Sequence, residues 1–195
     1  MSVIEGNERA GGLLRFWFGE GEEYGSPRSF WFEKSEEVDR EIRERFSEDH
    51  ERAASGELED WKSGPRECLA LILLLDQVPR NIFREDARSY ATDALAREAA
   101  RHAIESGFDS ELENVERWFV YLPFEHSEDM EDQRRSVELF EAMGGDGEDV
   151  DVAHYARRHL EIVERFGRFP HRNRVLGRES TPEEAEFLEE PGSSF

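Results

Sequence analysis

Cys68-Leu69-Ala70-Leu71-Ile72-Leu73-Leu74-Leu75 is apolar on every helical face and runs straight into Asp76-Gln77-Val78-Pro79-Arg80-Asn81. A helix that is hydrophobic all round must be buried on all sides. The run is far shorter than the roughly 20 residues a bilayer span needs. It therefore reads as the central helix of a globular core, opened by Pro65, which a first helical turn tolerates. Proline lacks the amide proton and its ring crowds the preceding turn, so Pro79 is expected to stop or kink this helix and throw Arg80, Asn81 and Arg84 off its end.

Outward from that run, the pattern is helical throughout. Leu13, Leu14 and Trp17, with Phe16 and Phe18, mark a first helix over residues 8–18, broken by Gly19 to Pro27. Ser35 is placed to cap a helix carrying Val38, Ile42, Phe46 and Ala53, which Gly56 ends. Residues 87–106 put Tyr90, Ala94, Leu95, Ala99 and Ala103 on one stripe before Gly107. An aromatic cluster, Trp118, Phe119 and Tyr121, fills 111–122, and Ser127 is the expected cap of a helix reaching Met143. A further helix over 151–166 has Val152, Tyr155, His159, Ile162, Val163 and Phe166 near one face. Thr181-Pro182-Glu183-Glu184 is a capping box that opens a last short helix. No strand pattern is present. The expectation is an all-α fold of seven to eight antiparallel helices, one domain over 1–195, with its core at about 8–188 and a loose tail at 189–195.

Composition bounds the partners. The chain has 195 residues, 47 acidic against 25 basic, and a formal net charge of −22. Such a surface repels nucleic acid and anionic membrane, so neither is expected as a partner. Cys68 is the single cysteine, which excludes an intrachain disulfide and favours a cytoplasmic location. Within its apolar run it reads as a small buried hydrophobe rather than a nucleophile. Met1 to Glu5 carries neither the basic region nor the apolar core of an export signal. With only Lys34 and Lys62 as lysines, the acidic, arginine-rich balance suggests salt adaptation or a GC-rich bacterial source. Self-repulsion should then weaken the fold at low ionic strength, because the Debye length shrinks to about 3 Å at 1 M salt. The melting temperature is expected to rise from low to molar salt, and a flat response would exclude this.

The motif at Pro79 recurs twice, as Tyr121-Leu122-Pro123-Phe124-Glu125-His126-Ser127-Glu128 and as Phe169-Pro170-His171-Arg172-Asn173. Each time an apolar stretch meets a proline and emerges polar, and polar groups at helix ends can converge. From these junctions come the candidate ligand-binding residues Asp76, Gln77, Arg80, Asn81, Arg84, His171, Arg172 and Asn173. Glu125 and His126 are the acid-base candidates, since adjacent Glu and His can exchange protons if burial brings their pKa values toward neutrality. Arg165, Arg168, Arg172, Arg174 and Arg178 fall in a segment without a single acid. They read either as an anion site or as internal partners for the acidic remainder.

No cofactor and no metal are expected. Asp151-Val152-Ala153-His154 is the single case of an acid followed three residues later by a histidine, whereas a di-iron bundle needs two such motifs. A mononuclear set of Glu125, His126, His154 and His171 is the minor alternative. Gly144-Gly145-Asp146-Gly147 lies between helices, unlike a strand-to-helix phosphate loop.

The three junctions, the aromatics Trp17, Trp31 and Phe32, and the run Arg165 to Asn173 followed by Leu176-Gly177-Arg178 resemble a bacterial family known as domain of unknown function 924. The resemblance spans roughly Leu13 to Leu188. It implies an all-α fold of the tetratricopeptide-like class and no established activity. Two readings of function follow. The first is a polar site at the junctions for a small anionic ligand, with acid-base chemistry available. The second is a helical-repeat module for a protein or peptide, anchored by Trp31 and Phe32, in which the polar clusters only lock the helices.

Overall fold

The structure, a computed structural model, describes residues 3–31, 33–144 and 151–193, with side chains from residue 8 onward. Eight α-helices order the described chain: α1 Val3–Phe18, α2 Glu36–Ala54, α3 Pro65–Ile82, α4 Asp93–Glu105, α5 Asn114–Glu125, α6 Met130–Met143, α7 Val152–Phe166 and α8 Pro182–Leu188. Short 3-10 turns join several of them, and no strand occurs among the described residues. The fold is all-α. The sequence reading treats 1–195 as one domain. The packing groups it into two compact units, residues 1–84 with 88–123, and residues 85–87 with 124–195.

The first unit is built on α3. Residues Cys68 to Leu75 are at most 3% exposed, as an all-round apolar helix requires. It packs against α1, α2 and α4. A second layer of aromatics closes over α1, where Trp17 meets Phe30 and Phe119 edge-to-face and Phe18 meets Trp31 and Phe119. Ser35 caps α2 as expected, its hydroxyl accepting from the Val38 amide.

Pro79 does not stop α3, which continues to Ile82. A proline inside a helix leaves the carbonyl four residues earlier without its donor. Here that carbonyl belongs to Leu75, and the Thr92 hydroxyl donates to it at 2.6 Å. The neighbouring Leu74 carbonyl accepts from His50 Nδ1 at 2.8 Å. Thr92 sits at the start of α4 yet caps nothing there, because its hydroxyl is engaged on α3. Thr92→Val keeps the shape and removes the donor. A loss of about 1–3 kcal/mol in urea unfolding is expected, and an unchanged midpoint would rule out this repair. Pro123 likewise lies inside α5, which runs on to Glu125.

The second unit packs α6 against α7. Its core is Ile162, Val163, Phe169 and Phe187, with Met130 and Phe166 alongside. The cap of α6 is Asp129, whose carboxylate accepts from the Glu131 and Asp132 amides. Ser127 instead donates to Asp132 and accepts from the Asp129 amide. The capping box of α8 forms as its sequence dictates. Beyond it Ser193 is buried and donates to the Leu188 carbonyl at 3.1 Å.

Candidate functional site

The first junction forms a hydrogen-bonded network within the first unit. Arg80 is a bidentate donor to Asp93, at 2.9 and 3.1 Å, and also reaches the Asp76 carbonyl at 2.6 Å and its carboxylate at 3.3 Å. Gln77 donates to Asp76 at 2.7 Å. Arg84 forks onto Asp39 at 2.7 and 2.8 Å, and Asn81 donates to the same carboxylate at 2.9 Å. Arg84 and Asn81 outweigh the desolvation of Asp39 and hold its carboxyl below the usual range. Asp39 was not foreseen from sequence, because on α2 it reads as part of a solvated acidic face.

The polar part of the second junction, from Phe124 onward, and the third junction lie in the second unit, and Phe169 joins them. Its ring is buried, met edge-on by His159 at 5.5 Å, flanked by His171 at 5.6 Å and covered by the Arg172 guanidinium at 4.6 Å. His126 faces His159 at 6.5 Å between ring centres. His159 Nδ1 lies 2.9 Å from the Tyr155 carbonyl and 3.2 Å from a Glu125 carboxylate oxygen. Two acceptors at one nitrogen place the proton of the neutral ring on Nδ1 and leave Nε2 the acceptor. Burial, with His126, Arg172 and His171 nearby, depresses the His159 pKa to about 3. His171 falls to about 4, through burial and then the charge of Arg172. Both are neutral imidazoles at pH 7.

The backbone of this junction is braced on both sides. Gly167 ends α7 in the left-handed region, which turns the chain toward Phe169. Glu128 accepts from the Phe169 amide at 2.8 Å and from both Arg178 Nη atoms, at 2.7 and 2.9 Å, while Arg178 donates to the Phe169 carbonyl at 3.1 Å. Arg178 and the Phe169 amide keep the Glu128 carboxyl below its ordinary pKa against its desolvation. Gln133 donates to the Glu125 and Ser127 carbonyls, both at 2.6 Å, which fixes the end of α5. Asn173 donates to Ser180 and Glu184.

The arginine-rich segment resolves by residue. Arg165 pairs with Glu183, Arg168 with Glu184, Arg174 with Glu85 and Arg178 with Glu128. Arg172 belongs to the cluster itself and is 6% exposed. Several buried polar atoms of the second unit have no hydrogen-bond partner among the described residues: Gln133 Oε1, Ser136 Oγ, Asn173 Oδ1 and Arg178 Nε.

Of the sequence candidates, Glu125, His126, His171, Arg172 and Asn173 thus belong to one unit, and Asp76, Gln77, Arg80, Asn81 and Arg84 to the other. Among the described residues no group of three or more His, Cys, Asp or Glu side chains is placed to hold a metal ion, so the mononuclear set is not assembled. Gly145 to Gly147 lie outside the described residues. Trp31 donates to the Trp17 carbonyl at 3.1 Å and packs on Phe119, so it serves the core of its unit; Phe32 lies outside the described residues. Sequence reasoning missed His159 and Gln133. His159 was legible only as one member of the inner face of α7.

The model of a family described as "Bacterial protein of unknown function (DUF924)" matches residues 13–192. The chain belongs to that family. It is also similar to a solved structure, a protein of unknown function, ATU0120, from Agrobacterium tumefaciens. The two share 44% sequence identity, with a TM-score of 0.84 over 94% of this chain and 98% of the other. Comparison with curated proteins found no match. No helix among the described residues is long and apolar enough to cross a membrane.

Proposed function

We propose that the chain binds a small anionic molecule at the Phe169 cluster of its second unit. Arg172 receives the negative charge, neutral His171 and the Asn173 Oδ1, which accepts from a donor group of the ligand, orient it, and Glu125, His126 and His159 are the groups available for proton exchange. The observation that carries this reading is the set of buried, unpartnered polar atoms in the unit that also buries a guanidinium and neutral imidazoles. Each such atom costs about 1–3 kcal/mol when left without a partner. Several kept together in one small unit are better explained by a polar guest than by packing alone. On this reading Asp76, Gln77, Arg80, Asn81 and Arg84 hold α2, α3 and α4 together and do not touch the ligand.

A thermal-shift screen of carboxylated and phosphorylated metabolites, peptides and divalent metals, run on the wild type and on His126→Ala and Arg172→Ala, tests it. A ligand at 100 times its Kd adds about 2.7 kcal/mol to stability. A shift given by an anion and lost in both variants supports the proposal. No shift with any anion, or a shift both variants retain, overturns it. Peptide shifts alone would favour the interaction-module reading.

A further inference from the structure

The loop between α1 and α2, in the first unit, holds a cleft. Glu23, Ser26, Pro27, Arg28, Ser29 and Phe30 line a cleft of about 440 Å³, within the range of small-molecule sites. The loop is fixed in place. The Gly25 amide donates to the Phe18 carbonyl at 2.8 Å, the Trp31 amide to the Arg28 carbonyl at 3.1 Å, and the Tyr24 hydroxyl bonds the buried Glu116 carboxylate.

Arg28 is the unusual member. Its guanidinium lies 5.6 Å from the Phe30 ring centre and close over Gly19, where a Cβ would sit 3.2 Å from Nη1. Gly19 has φ +90° and so has two reasons to lack a side chain. Arg28 is thereby positioned by an aromatic face and a glycine rather than by a carboxylate; among the described residues it makes no ion pair. That is notable in a chain of net charge −22, where acids outnumber bases nearly two to one. A guanidinium in a cleft that Ser26 and Ser29 also line suits a carboxylate.

The same cleft also presents Glu23, and the field of the whole protein opposes a net anion. A guest with one negative and one positive group meets neither obstacle, and Pro27 and Phe30 offer its remainder an apolar wall. We propose that this cleft binds a small zwitterion of the apolar amino-acid class, its carboxylate on Arg28 and its ammonium group on Glu23.

Isothermal titration with L-leucine, with 4-methylpentanoate, which is the same molecule without the ammonium group, and with orthophosphate tests this directly. Leucine is expected to bind most tightly. Arg28→Gln should weaken it at least tenfold, and Glu23→Gln should bring its affinity down to that of 4-methylpentanoate. Both side chains are on a surface loop, so unchanged melting temperatures confirm that the variants fold. Absence of leucine binding, binding that both variants retain, or orthophosphate or 4-methylpentanoate binding as tightly as leucine would each overturn the proposal. His126→Ala leaves this site intact, so failure here is distinguishable from failure at the Phe169 cluster.

Discussion

Replacing Arg80 by methionine is expected to destabilise the protein by about 3–5 kcal/mol, the cost of breaking a buried ion pair by removing one partner. The Asp76 side chain is 1% exposed and that of Asp93 11%, and one guanidinium serves both. Methionine fills much of the arginine stem's volume, so the loss reports charge and hydrogen bonding rather than a cavity. The network also joins α3 to α4, so its loss should loosen the Thr92 repair of the Leu75 carbonyl. Asp93→Asn added to Arg80→Met should recover part of the stability, because it removes one of the two carboxylates that the missing cation served. Urea unfolding of the single and double variants at pH 7 decides it. A single-variant loss below about 1 kcal/mol, or a double variant worse than the sum of its parts, would mean that this network contributes little.

That network shows how far sequence reaches. The apolar run at 68–75 announces the central helix because burial on all sides demands it, and the Ser35 cap and the Thr181 capping box announce helix starts because their donors are local. Pro79 shows where such local rules stop. Its expected break depended on an orphaned carbonyl, and the donor that removes the problem, Thr92, is distant in sequence from Leu75. Ser127 and Asp129 illustrate the same limit at shorter range. Both can cap α6, and the choice goes to Asp129 because Ser127 is drawn to Asp132. Among the candidate site residues, residue type and proline punctuation pointed to Glu125, His126, His171 and Arg172. They did not separate these from Arg80 and Arg84, since a guanidinium's partner is set by tertiary packing. His159 was hidden for a related reason. A histidine on the inner face of a helix has the spacing of a core residue, and only the placement of Glu125 and the Tyr155 carbonyl around Nδ1 gives it chemistry.

The second large effect is acid destabilisation centred on that histidine. The folded-state pKa of His159 is depressed to about 3, against an unfolded value near 6.5, so below pH 6.5 the unfolded chain binds more protons than the folded one. Stability is therefore fully present above pH 6.5 and is lost as pH falls toward 3. At pH 5 the unfolded histidine has already gained its proton and the folded one has not, which costs about 2 kcal/mol from His159 alone. His171, at about 4, titrates with the same sign and adds to the loss over the upper part of this window. The depressed carboxyls act lower down: Glu184, held to about 2 chiefly by its hydrogen bonds from Arg168, loses its contribution only between its ordinary value near 4.5 and 2. A fall in melting temperature between pH 7 and 5 thus reports the depressed histidines, to which buried His50 contributes with the same sign. Two measurements secure the assignment. The ring protons of His159 and His171 should show no titration between pH 7.5 and 5 by NMR, and His171→Gln, at a partly exposed position, should flatten the melting curve over the same range. A midpoint above pH 6 at either ring would mean that the cluster is solvated and charged near neutrality. The neutral imidazoles on which the proposed anion site depends would then be absent, and Arg172 would share its cluster with further cations rather than with proton acceptors.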